Sequence, residues 1–163
     1  MENTHRSGLD KLRSFIDNGD IAVLCTLKAD HIHCRPMATS DLDEQGNLWF
    51  FTNEYSSKVE EVEQNDNITL CYTDHDNSKY ISINGTASIV NDRSKMEELF
   101  NSSVKMFFPE GLKDPKLALL KVQPHHAEYW DSHSSSMVHF MGILGSALTN
   151  ERSLGGEHGE IDL

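Results

Sequence analysis

Short runs of β-branched, aromatic and apolar residues, separated by Gly, Asn and Asp, leave this chain few folds other than antiparallel β. "IAVLCTL" (residues 21–27) reads as a buried strand, and "HIHCRPMATSDL" alternates with a period of two. Ile32, Cys34, Pro36, Ala38 and Leu42 share one face, and His33, Arg35, Met37 and Thr39 share the other. "DEQGN" supplies a turn before "LWFFT", so neighbouring antiparallel strands form a meander. "NITLCYTD" and "SKYISINGTASIVND" continue it, the second carrying Gly85 near its middle, where a bulge or bend is expected. "KLALLKVQPHHAEYWD" reads as two more strands separated by Gln123-Pro124. About six strands with few, short helices indicate a mainly β protein, an antiparallel barrel with peripheral helices.

Helices are expected at three places. Leu9, Leu12, Phe15 and Ile16 have helical spacing ahead of a Gly19 C-cap; "SKVEEVEQN" points Val59 and Val62 inward; and "RSKMEELFNSSVKMFF" follows a capping Asp92. "MVHFMGIL" suggests a short apolar helix, leaving residues 146–163 as a Gly-rich acidic tail, expected to be mobile, after a domain spanning residues 1–145. At 163 residues the chain suffices for one well-packed domain.

The net charge of -12 argues against nucleic acid as a partner and against a polybasic membrane patch. No apolar run approaches the ~20 residues of a membrane span, and "MENTHRSGLDKLRSF" has no signal-peptide h-region. Three cysteines, Cys25, Cys34 and Cys71, without CxxC spacing, read as reduced core thiols of a cytoplasmic protein. Nine histidines invite a metal, but no Cys/His or HExxH spacing joins them, His125 and His126 face opposite ways, and no metal site is expected. GxSxG, P-loop and GxGxxG signatures are missing too, and Asp131, His133 and Ser134 to Ser136 lie too close in sequence to make a triad.

Two readings compete at "TNEYSSKVEE". In one, Ser57 and Glu60 form a capping box, with Ser56 the alternative cap, and the acidic first turns suit the helix dipole. In the other, the free N–H groups of the helix start, the hydroxyls of Thr52, Ser56 and Ser57, and Lys58 hold a phosphate. A phosphate of charge about -1.5 to -2 calls for a second cation, and Arg35, beside an edge-marking Pro36, is the candidate. "AEYWDS" offers Tyr129 and Trp130 as packing aromatics or as a wall for a planar ligand.

In order and spacing, Arg-Pro-Met, an acidic-Gly turn, "WFFT", "SSK", "YISINGTA", "DR", "FFPEGLKDP" and "AEYWD" resemble the flavin-mononucleotide-binding split barrels related to pyridoxamine 5'-phosphate oxidase, the general stress protein 26 group in particular. The likeness covers roughly residues 9–133. It implies a six-stranded split barrel, a homodimer and FMN (or FAD) at the interface. Arg35, Pro36, Met37 and Ala38 would line the flavin, Phe51 and Thr52 flank it, Ser57 and Lys58 meet its phosphate, and Trp130 reach it from the partner subunit. Ser40 and Ser57 stand where the oxidases carry Lys and Arg, and Tyr80 replaces a Gln that touches the ring. The substrate-phosphate Arg after the Trp is gone, so vitamin B6 oxidase activity is not expected. The implied function is a low-specificity flavin oxidoreductase. The alternatives are a non-enzymatic flavin carrier or sensor, and a haem or deazaflavin protein. No residue stands out as catalytic, Tyr129 and His133 being the only candidates for proton transfer.

Overall fold

The computed structural model describes residues 2–131 and 157–163. Seven strands form one antiparallel sheet: β1 (Ile21–Lys28), β2 (His31–Leu42), β3 (Leu48–Asn53), β4 (Asn67–Asp74), β5 (Lys79–Val90), β6 (Leu117–Asp131) and β7 (Glu157–Asp162). Their order is β3-β2-β1-β4-β5-β6-β7, and a further β3–β6 pairing closes the first six into a ring. The ring is split. Residues 117–122 of β6 pair with β3, while its C-terminal half leaves β3 and pairs with β7. The expected six-stranded split barrel is therefore present, extended by one strand.

Ala22, Leu24, Met37, Phe50, Leu70, Ile83, Leu120 and Val122 fill the barrel, and Leu9, Leu12 and Ile16 pack against them from the N-terminal segment. Helix α1 (Glu2–Arg13) stops short of the expected end. Gly19 is not its C-cap; it sits at φ +98 in the turn into β1, where its N–H donates to Thr39 O. A second cluster, Trp49, Met96, Leu117 and Leu119, lies outside the β3–β6 seam under two short helices, α3 (Arg93–Leu99) and α4 (Ser102–Phe107). Asp92 caps α3 as expected, but the single helix predicted there is broken. Asn101 leaves the helical region and accepts from the N–H groups of Ser103 and Val104, so a cap wins over continuation in "FNSS".

The two strands predicted around Gln123-Pro124 are one strand of 15 residues with a bulge. Asn84 pairs with His126 but Gly85 with Pro124, so β6 carries an extra residue at His125. The insertion inverts the parity of β6: Leu120 and Val122 face the core before it, Ala127 and Tyr129 after it. His125 and His126, on either side of the parity change, therefore both face outward rather than opposite ways as expected, because buried Pro124 precedes them and buried Ala127 follows; Gly85 behaves as expected. A Cβ at Gly85 would lie 2.3 Å from Gln123 O and 3.0 Å from Pro124 Cα, both backbone atoms. Gly85→Ala is expected to lower the unfolding free energy by about 2 kcal/mol in urea melts.

Strand β2 alternates as predicted, but its polar face points inward. Met37 and Thr39 are buried, while Ile32, Cys34, Pro36 and Ala38 face out. The bulge between Thr39 and Asp41 takes Ser40 out of this alternation. On the neighbouring strand Ile21, Val23 and Leu27 are also exposed, and Ile32 is 70% exposed. Cys25 and Cys34 are cross-strand neighbours on this outer face, with 3.1 Å between their sulfurs. They are free thiols, Cys34 being exposed rather than in the core. Burial, reinforced by Cys34, pushes the Cys25 thiol up to about 12. Part of the expected mobile tail is β7, whose Ile161 joins the core. The helix expected at "MVHFMGIL" lies outside the described residues, and among them no helix is long and apolar enough to cross a membrane.

Candidate functional site

Helix α2 (Ser57–Gln64) follows β3 after a short turn and buries Val59 and Val62 as expected. It also buries Glu61, which is 1% exposed. Such a carboxylate must be paired, and the inward face of the β1–β2 hairpin supplies its partners. Thr26 Oγ1 donates to Glu61 Oε2 at 2.5 Å, Arg35 Nη2 donates to the same oxygen at 2.5 Å, and His33 Nδ1 to Oε1 at 2.9 Å. Arg35 Nη1 also reaches Thr26 Oγ1, and His33 O at 3.1 Å. The cross-strand pairs Leu24↔Arg35 and Thr26↔His33 bring the three groups together. Burial raises the Glu61 carboxyl, but the hydrogen bonds from Thr26, His33 and Arg35 and the Arg35 charge outweigh it and bring it down to about 2.

The start of α2 corrects the expected capping box. Its N-cap is Ser56, in extended backbone, and no side chain caps the helix. The Ser56 hydroxyl instead accepts from Lys58 Nζ at 3.2 Å. Lys58 lies beside the cluster: burial, then the Arg35 charge, lowers its pKa, and Glu61 acts in the opposite sense. Uncapped N–H groups and a half-buried ammonium therefore meet at one point, the combination that suits an oxyanion. Four residues before the cap, Thr52 Oγ1 is buried with no hydrogen-bond partner among the described residues. Thr52→Val is expected to raise the stability of the ligand-free protein by about 1 kcal/mol in urea melts, since an unsatisfied buried hydroxyl is costly.

The other expected residues are dispersed. Arg35 is present at the site, but as the partner of Glu61 rather than as an uncommitted cation. Met37 is core. Pro36 and Ala38 face outward, Pro36 on the stretch of β2 that pairs only with β1, as its edge character implied. The Phe51 ring packs edge-on to Phe100, 6.0 Å away, under the peripheral helices. Tyr80 and Trp130 are cross-strand partners on β5 and β6, neither of which pairs with the strand that carries Arg35. Tyr129 is core, against Phe15, so it is no wall for an open site. His133 lies outside the described residues. An open groove of about 390 Å³ over Cys25, Leu27, Ile32, Thr69, Asn84 and His125 contains none of the expected flavin contacts. Sequence reasoning missed Glu61, Thr26 and His33. Helical spacing carried no signal for Glu61, which lies about 200° round α2 from Val59; only the fold shows that it is buried.

The family model described as "Pyridoxamine 5'-phosphate oxidase like" matches residues 7–153. Protein bli-3 of Neurospora crassa is 26% identical over 132 residues, 74% of this chain and 63% of that protein, so the chain spans under two-thirds of this relative's length. The general stress protein 26 of Bacillus anthracis superposes with a TM-score of 0.65 at 26% identity, covering 74% of this chain and 92% of that one. The general stress FMN/FAD binding protein of Xanthomonas citri gives a TM-score of 0.66 at 23% identity, covering 83% and 93%.

Proposed function

Because the chain belongs to the pyridoxamine 5'-phosphate oxidase-like family, we propose that it binds FMN, phosphate end first, at the uncapped start of α2 and acts as a low-specificity cytoplasmic flavin oxidoreductase. The observation that carries this reading is the Ser56 hydroxyl turned away from the helix it should cap and toward Lys58. A bound phosphate would meet the free N–H groups, the hydroxyls of Ser56 and Ser57, and the Lys58 ammonium. The names of structurally similar proteins that bind FMN or FAD support the choice of ligand. When bound, flavin supplies the redox chemistry; the chain supplies binding, orientation and exclusion of water.

The reading requires a second copy. Tyr80 and Trp130 lie on strands that do not pair with the strand of Arg35, while Ile21 (56% exposed) and Ile32 form an apolar outer face that water should not cover in a stable assembly. Homodimerisation through this face would bring one protomer's Trp130 toward its partner's phosphate site. Ile32→Asp is expected to shift the protein to monomer in analytical ultracentrifugation and to weaken FMN binding at least tenfold.

The test begins with the colour of the protein. It should bind added FMN at micromolar concentration, turn yellow and release FMN on denaturation. NADH or NADPH should bleach the bound flavin without oxygen, and air should restore it. A protein that fails to bind FMN would overturn the whole proposal. Colour that persists with both nicotinamides would overturn the oxidoreductase half and leave a carrier.

A further inference from the structure

The last two strands carry one short pattern twice. His126-x-Glu128 lies on β6 and His158-x-Glu160 on β7. Alternation puts both residues of each pair on one face of their strand. The antiparallel register sets Glu128 directly opposite Glu160, with His126 and His158 one step away along their strands in opposite directions. The result is two imidazoles and two carboxylates on a single sheet face, related by an approximate twofold axis between the glutamates.

Donor atoms of His126, Glu128 and Glu160 all lie within 4.8 Å of one another. His126 Nε2 is 3.9 Å from Glu128 Oε1, and His158 Nε2 is 4.0 Å from Glu128 Oε2. Ligand bonds of about 2.0–2.2 Å to zinc place donors roughly 3.4 Å apart, so small side-chain rotations can bring His126, Glu128 and Glu160 onto one ion.

The backbone beneath is held. Ile161 is in the core, Leu163 N donates to His125 O at 3.1 Å, and Gly159 lets the Tyr129 ring lie where a Cβ would be, 2.5 Å from its hydroxyl. Trp130 stacks on the His158 ring at 5.3 Å and orients it. Without a cation the register is a poor choice, because like charges directly opposite each other in a ladder destabilise it, here in a chain of net charge -12.

We propose that His126, Glu128 and Glu160 bind a divalent transition-metal ion, of which Zn²⁺ is the representative, and that the ion fastens the C-terminal strand to the barrel. Imidazole with carboxylate selects ions of this class over Mg²⁺ or Ca²⁺, which take oxygen ligands. No local motif announced the site, because it joins a His-x-Glu pair on β6 to a Glu 32 positions further on (128 to 160).

Untagged, chelator-treated full-length protein should be titrated calorimetrically with ZnCl₂ and, separately, MgCl₂. One Zn²⁺ per chain at micromolar affinity or tighter is expected, with no Mg²⁺ binding at the same concentrations. Glu160→Gln and His126→Ala should each weaken Zn²⁺ at least tenfold, whereas His31→Ala, removing an exposed histidine elsewhere, should not. Zn²⁺ should also slow amide exchange in residues 158–162 of the parent protein and not in Glu160→Gln. Circular dichroism of each variant separates lost ligation from lost folding. Absence of binding at about 0.1 mM Zn²⁺ would overturn the proposal, and so would undiminished binding by folded Glu160→Gln and His126→Ala proteins.

Discussion

Glu61→Ala is expected to lower the unfolding free energy at pH 7 by about 3 kcal/mol, because it strands the half-buried Arg35 charge and removes the acceptor for Thr26 and His33. Against the 5–15 kcal/mol of a typical domain, that is enough to leave the variant marginal. The acid limb of the stability curve gives an independent estimate. Against burial, the hydrogen bonds from Thr26, His33 and Arg35 hold the Glu61 carboxyl down at about 2 in the folded protein, below its ordinary 4.5. At about 1.36 kcal/mol per pH unit the difference is about 3 kcal/mol. The folded value is the lower one, so the unfolded state binds more protons on the acid side. The contribution is therefore complete above about pH 4.5 and is lost as the pH falls toward 2. Glu61→Gln keeps the shape of the side chain and cannot titrate. Urea melts at pH 7, 4 and 3 should show a gap between parent and Gln variant that narrows with acid. A constant gap would mean that Glu61 is not held as an anion.

The same cluster shows where sequence reasoning reaches and where it stops. Strand alternation, the bend at Gly85 and the burial of Val59 and Val62 follow from local periodicity, and the structure has them. The inward turn of His33 and Arg35 does not. Periodicity says which residues share a face, but not which face is dry, and in β2 the apolar-looking set lies outside. That assignment depends on Glu61, 26 residues further along, arriving to neutralise Arg35. The bulge at His125 has the same character: Pro124 signalled an interruption, but only the approach of Gly85 from the neighbouring strand turns it into a continuous strand of reversed parity. At the candidate site, Lys58 and the helix start were legible because they are contiguous in sequence. The pairing of Lys58 with Arg35 followed from the charge a phosphate would need, and the fold qualified it, since Arg35 is the partner of Glu61.

That qualification makes Lys58→Ala the sharpest test of the proposed ligand. FMN and riboflavin share the ring system and differ in the phosphate. If Lys58 and the α2 N-terminus hold that phosphate, the variant should lose about 10- to 100-fold in FMN affinity, the worth of one charge-assisted hydrogen bond at roughly 1.5–3 kcal/mol. Riboflavin affinity should change by less than about twofold. Lys58 is half-buried and its ammonium is disfavoured by burial and by Arg35, so an arriving dianion stabilises a charge that the ligand-free site holds at a cost. Glu61→Gln then probes the other cation. The carboxylate neutralises Arg35, so removing its charge without its shape should let Arg35 act on the phosphate and tighten FMN severalfold while riboflavin is unmoved. Tightening for FMN alone in Glu61→Gln, with weakening for FMN alone in Lys58→Ala, would place the phosphate between the two cations. Equal losses for both flavins in Lys58→Ala would remove Lys58 from the phosphate site.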